Sequence, residues 1–355
     1  MARFIMDAHV HSQRWAPGLV KRGEPFTYRT LEHAIMTLPP FDNSRALLLD
    51  MDRLGIEMAA LNTAFNMRNE MIAAQVQRYP ERFVGFCGPV ETQIRAYAGR
   101  EPFSAEKAAL EVDYWLSQPG FVGVGELVSV LPDPDLTVPI DQNLAKMFPI
   151  MEVVQQHRAP ILIHTGCISY PVMCRLRAVD PALIDDLAVR YPDVSIIIGH
   201  MGTCTSWWDT MPETARMVAA RHPNVYLETC QATAAQIERA YLDPQIGPEK
   251  LVFGSDFGAS MSYKRIEGKT YSVTPPEFPP QTLSMHQDWC LRQIMQIEMP
   301  EEDRAKILGL NMARLCKIDV EARLGTRMEE RYGPAIRPDE APVDLSWERL
   351  ANVGK

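Results

Sequence analysis

Apolar residues fall into eight short runs of strand length, separated by stretches whose apolar positions recur every three or four residues. The runs cover 3–9, 57–62, 82–88, 121–126, 160–164, 194–199, 224–228 and 251–255. Between the first two, Leu47, Leu48, Met51 and Leu54 share one face of a predicted helix that Gly55 ends. Further helices are predicted over 69–79, which Pro80 stops, and from a Ser104 cap through Leu110 and Trp115 to the Pro119-Gly120 break. Asp141 opens one that carries Leu144, Phe148 and Met151, and others cover 181–191, 212–221 and 234–241. Short apolar, β-branched runs alternating with helices read as parallel strands buried on both faces. Eight of them predict an α/β protein of the (β/α)8 TIM-barrel class with long loops on the catalytic rim. An open doubly wound sheet would carry a glycine-rich phosphate turn after its first strand, and here that place holds His9-Val10-His11.

After the eighth run come a loop over 257–281, helical patterns over 284–298 and 301–310, and a proline-bearing C-terminal extension over 319–355. With no repeat and no linker, one domain over 1–355 is expected. The 355 residues suit such a barrel, which needs about 250 residues plus insertions. A net charge of −9 with no basic stripe argues against a nucleic-acid partner. No apolar stretch approaches the ~18 residues of a membrane span. The N-terminal residues read as strand, without a signal-peptide pattern, so a cytoplasmic location is expected. The seven cysteines (87, 167, 174, 204, 230, 290 and 316) form no CxxC pair, which suits reduced, buried thiols. Cys167 and Cys204 follow candidate histidines closely, so they line either a pocket or the core.

Candidate chemistry gathers where the runs end. Asp7, His9 and His11 close the first, Glu126 the fourth, His164 the fifth, His200 the sixth and Asp256 the eighth. Parallel strands bring these ends to one rim, where barrel active sites lie. His9 and His11, two apart, leave the strand on the same face. Imidazoles and carboxylates together suit Zn²⁺ best, with Mn²⁺, Fe²⁺ and Co²⁺ as substitutes. A metal lowers the pKa of a bound water from ~15.7 toward ~7, which makes hydroxide available at neutral pH.

The set DAHVH (7–11), ILIHTG (161–166), IIIGHMG (196–202) and LVFGSDFG (251–258) resembles the amidohydrolase superfamily, in particular its amidohydrolase-2 branch of decarboxylases, lactonases and C–C-bond hydrolases. The segment 309–316, GLNMARLC, is similar to the branch's closing motif. The resemblance implies the barrel fold and metal roles for His9, His11, His164 and Asp256. It also implies that His200 sits beside the metal to polarise the substrate, or ligates a second ion. No lysine ends the fourth run, as it does in many binuclear relatives. The segment Val124–Leu127 instead resembles that of TatD-like nucleases and some lactonases, whose glutamate bridges two metals. Two readings of Glu126 stay open: a metal bridge, or a hydrogen-bonded carboxylate inside the rim.

The expected activity is that of a metal-dependent hydrolase with one or two ions per chain, cleaving an amide, ester or lactone in a small molecule. Asp256, His200 and Glu126 are its catalytic candidates. The alternative is a cofactor-free, metal-dependent decarboxylase of an aromatic or muconate-like acid. Arg14, Trp15, Trp207 and Tyr263, on the rim loops, are candidate contacts for an aromatic, carboxylate-bearing substrate. A homo-oligomer, a dimer foremost, is the expected assembly.

Overall fold

Eight parallel strands, each hydrogen-bonded to its successor in chain order, form a nearly closed barrel in this computed structural model, confirming the expected class. The structure describes residues 4–14, 41–64, 67–128, 138–166, 176–203, 210–257, 263–266, 269–272 and 287–324. The barrel strands are β1 (Met6–Val10), β2 (Met58–Asn62), β3 (Phe83–Cys87) and β4 (Phe121–Val128). They continue with β5 (Ile161–His164), β6 (Ile196–Ile198), β7 (Val225–Glu228) and β8 (Leu251–Val252). The chain after β8 returns to β1: Ala8 N donates to Phe253 O (2.9 Å), Asp256 N to His9 O (2.8 Å) and His11 N to Phe257 O (2.7 Å).

The alternation of a strand separates two cores. Met6, Ala8, Met58, Ala60, Val84, Phe86, Leu162, Ile197, Tyr226 and Val252 form one buried cluster, joined by Met312 and Leu315 from the C-terminal helices. Their strand neighbours, among them Ala59, Leu61, Phe83, Ile161, Ile163, Ile196, Ile198, Val225 and Leu227, pack outward against the helices. The first helix, α1 (Ser44–Leu54), shows how. Leu47, Met51 and Leu54 recur at helical spacing and are buried, each worth about 1.5–3 kcal/mol of burial. Gly55 takes the left-handed conformation (φ 68°) that ends it.

Three connections differ from expectation. The helix expected from Asp141 is two, Ile140–Ala145 and Phe148–His157, because Pro149 in the first turn of the second cannot continue an earlier ladder. An unexpected helix, Val90–Tyr97, follows β3. Its first turn is held by Glu111, whose carboxylate accepts from Glu91 N (2.8 Å), Thr92 N (2.9 Å) and Thr92 Oγ1 (2.7 Å). The run over 301–310 breaks into Glu301–Ala305 and a π-turn, Lys306–Leu310, that leads into Asn311–Leu315. There Asn311 Nδ2 bonds the Pro248 (2.7 Å) and Leu251 (2.8 Å) carbonyls. The loop after β8 contains an antiparallel hairpin of Tyr263–Ile266 with Lys269–Ser272. Among the described residues no helix is long and apolar enough to cross a membrane.

Candidate metal centre

The C-terminal ends of β1, β4, β5 and β6, with the segment after β8, put six of the expected side chains in one place. His9 Nε2 lies 3.1 Å from His11 Nε2. Asp256 Oδ1 completes this group at 3.2 Å from His11 Nε2 and 3.7 Å from His9 Nε2. Glu126 Oε2 stands 3.4 Å from His9 Nε2 and 3.5 Å from His11 Nε2. The other oxygen of Glu126 meets a second group: Oε1 is 2.7 Å from His164 Nδ1 and 3.1 Å from His200 Nε2, and those nitrogens are 3.1 Å apart. His9, His11 and Asp256 are one set able to hold a metal, and Glu126, His164 and His200 another.

Local backbone explains the convergence. Gly125, before Glu126, has φ 146°, and a Cβ there would meet Leu162 O at 2.8 Å, so only glycine lets β4 turn its carboxylate inward. His200 (φ 59°), Gln231 (φ 59°) and Asp256 (φ 55°) are non-glycine residues in the left-handed region at the ends of β6, β7 and β8. Each such conformation costs about 1–3 kcal/mol and persists where packing over-determines it, as at functional sites.

Electrostatics point the same way. Burial works against charge on His9, yet the Glu126 carboxylate, with Glu228 and Asp256, holds its imidazole well above the usual histidine range. His11 is likewise raised against burial, by Asp256 and Glu126. Burial would push Glu126 up, but His9 and His164 hold it well below the usual carboxylate range. Asp256 is lowered against its burial by His11 and His9, while burial draws the His164 imidazole down. The Glu126 and Asp256 carboxylates therefore favour positive charge among the histidines, the charge that a bound divalent ion would supply.

The donor set fits a divalent ion. Ligand atoms about 2.0–2.2 Å from a tetrahedral ion lie roughly 3.3–3.6 Å from one another, close to the spacings of the first group. Asp256 Oδ1 is buried with no hydrogen-bond partner among the described residues. His11 Nδ1 faces the Asn62 carbonyl (3.2 Å), which leaves the Nε2 lone pair for an ion.

The amidohydrolase family model (Amidohydro_2) matches residues 6–318. The chain belongs to this amidohydrolase family. A comparison with curated proteins finds no match. Among solved structures, this amidohydrolase resembles a dihydroxybenzoic acid decarboxylase from Polaromonas sp. JS666 with bound manganese and the inhibitor 2-nitroresorcinol. The TM-score is 0.54 at 20% identity, over 91% of this chain and 99% of that one. It also resembles a 2,6-dihydroxybenzoate decarboxylase from Rhizobium (TM-score 0.55, 18% identity, 89% and 99% covered). A third is 4-oxalomesaconate hydratase from Rhodopseudomonas palustris (TM-score 0.53, 17% identity, 89% and 96% covered). At these identities the likeness is one of fold. The family and the ligand sets together support an enzyme that uses a divalent metal.

Of the expected substrate contacts, Arg14 is placed by its main chain alone, paired with Phe41, and Tyr263 by its main chain in the hairpin. Trp15 and Trp207 lie outside the described residues, as do Cys167, Cys174 and Cys204. Cys87, Cys230, Cys290 and Cys316 are free and buried, as expected. His157, the last residue of the Phe148–His157 helix, pairs with Asp113 (2.7 Å). Three further residues support the site: Asp7, named from the sequence without a role, and Gln231 and Glu228, which the sequence reading overlooked. Asp7 accepts from Ser255 Oγ (2.6 Å), Gln287 Nε2 (2.8 Å) and His9 N (3.1 Å), and burial pushes its carboxyl up to about 7. Gln231 Nε2 donates to Asp256 Oδ2 (3.3 Å), and Glu228 lies behind His9 (3.4 Å). Glu228 ends an apolar run as the ligands do, so the strand-end signal was there to find it.

Proposed function

We propose that this amidohydrolase is a two-metal hydrolase that cleaves an amide, ester or lactone in a small, carboxylate-bearing molecule. The observation that carries it is Glu126, whose two oxygens each face a separate ligand group. One ion would be held by His9, His11 and Asp256, a second by His164 and His200, with Glu126 between them. A divalent ion there supplies Lewis acidity and lowers the pKa of a water toward ~7. Zinc is the ion expected from the donors, and manganese in the Polaromonas structure is the precedent for another.

The protein's own groups do the rest. The Asp256 carboxylate takes the proton of the attacking water and returns it to the leaving atom, while Gln231 Nε2 holds it in place through Oδ2. With a single ion bound, His200 would instead be free to polarise the scissile carbonyl. Glu126 and His164 are partly exposed at the rim, at 10% and 9% of their side-chain surface, and mark the side from which substrate enters.

A second reading is non-oxidative decarboxylation, and the comparisons support it better than they support hydrolysis: two of the three structures named above are dihydroxybenzoate decarboxylases. In that chemistry Asp256 or a histidine gives a proton to the ring carbon as the carbon–carbon bond breaks and CO₂ leaves. The deciding experiment measures metal per chain together with CO₂ release from hydroxybenzoates, proton release from lactones and amine release from amides. About two ions with proton or amine release supports the hydrolase. About one ion with CO₂ release replaces it with the lyase.

A further inference from the structure

The end of β7 carries Glu228, which is fully buried and takes part in neither of the reactions above. Its carboxylate makes contacts on both sides. Oε1 accepts from Cys230 N at 2.7 Å. Oε2 accepts from His200 N at 2.7 Å and faces His9 Nδ1 at 3.4 Å. Room for it is kept by Gly254, where a Cβ would stand 2.1 Å from Glu228 Oε1.

Glu228, His9, His200 and Cys230 themselves form a set within ligand reach of one another. Yet both oxygens of Glu228 already accept main-chain N–H groups, so the carboxylate is arranged as an acceptor and not as a ligand. We propose that Glu228 is the positioning residue of the metal centre: it fixes His9 in the tautomer whose Nε2 is free to ligate, and anchors the left-handed turn that presents His200. The inference rests on the metal reading of the site, and on neither of the two reactions.

The logic is one of proton placement. An imidazole that donates Nδ1–H to a carboxylate keeps its lone pair on Nε2, which here points toward His11, Asp256 and Glu126. The same carboxylate grips the residue that delivers His200 to the second ligand group, so one side chain serves both groups. A glutamine at 228 has the same shape but a single acceptor. Its NH₂ must face Cys230 N–H on one side, or His200 N–H and His9 Nδ1–H on the other. In the second case His9 is driven to the tautomer with its proton on Nε2, which cannot bind a metal.

The test is chelator competition with Zn²⁺ on the full chain, for wild type, Glu228→Gln and Gly254→Ala. The second variant displaces Glu228 without changing it and keeps the test alive if the first does not fold. Affinity is read on the folded fraction, and the Tm of the metal-free forms is measured beside it. Either folded variant is expected to bind Zn²⁺ about 10–100-fold more weakly than wild type. A merely structural Glu228 would lower the metal-free Tm and leave the affinity of the folded fraction unchanged. Folded variants with wild-type affinity overturn the inference. A wild type that binds no divalent ion overturns the metal reading, and the inference with it.

Discussion

Glu126 Oε1 lies 2.7 Å from His164 Nδ1, across the gap between the ends of β4 and β5. Its partner oxygen turns to His9 and His11. Glu126→Gln keeps the shape and removes the charge, and it should lower metal content by about one ion per chain and cut turnover sharply. Elemental analysis of chelator-free protein checks this. Unchanged metal content would leave Glu126 as a hydrogen-bonded rim carboxylate.

Asp256 is tied into the fold by its main chain, through Asp256 N to His9 O, so its side chain is free to serve chemistry. Asp256→Asn should lower kcat by about 10²–10⁴-fold, the range of general acid–base contributions. Its Tm should stay near that of wild type. Near-normal turnover would mean that the proton moves through another group.

Metal removal should destabilise the protein, because the buried Asp256, with Glu126 beside it, would be left among the histidines without the cation. Adding a divalent ion back to chelated protein should raise Tm with concentration, by about 2.7 kcal/mol of stability at a hundredfold excess over Kd. A Tm indifferent to chelator and ion alike would argue against a metal centre.

The pH dependence of stability has one contributor far from the centre. Burial raises the Glu111 carboxyl above its usual range, against the hydrogen bonds it accepts from Glu91 and Thr92. A group raised on folding contributes stability that is present below its unfolded pKa and lost as pH rises through its folded pKa. Part of the decline in stability from about pH 4.5 upward should therefore vanish in Glu111→Gln. Denaturant melts from pH 4 to 7 would show it, and parallel curves for the two proteins would sink the idea.

The barrel and all six candidate ligands were legible because both follow from periodicity. Runs such as Ile196–Ile198 are buried on both faces, and a barrel rim collects whatever polar residue ends each run. The division of the six into two groups was not legible. It depends on rotamers and on Glu126 facing both ways, which spacing leaves open. The left-handed turns at His200 and Asp256 were equally hidden, since neither carries the glycine that usually announces them. The Val90–Tyr97 helix escaped because its first turn is held by Glu111, a tertiary contact without local trace.

Closure of the barrel has a consequence for synthesis. His9 and His11 leave the ribosome early, whereas Asp256 comes from the segment that seals β8 against β1. A nascent chain thus carries the histidine pair and Glu126 before Asp256 exists, and any ion caught before the last strand docks would be held by a partial set. Metal loading would in this way be tied to closure of the barrel.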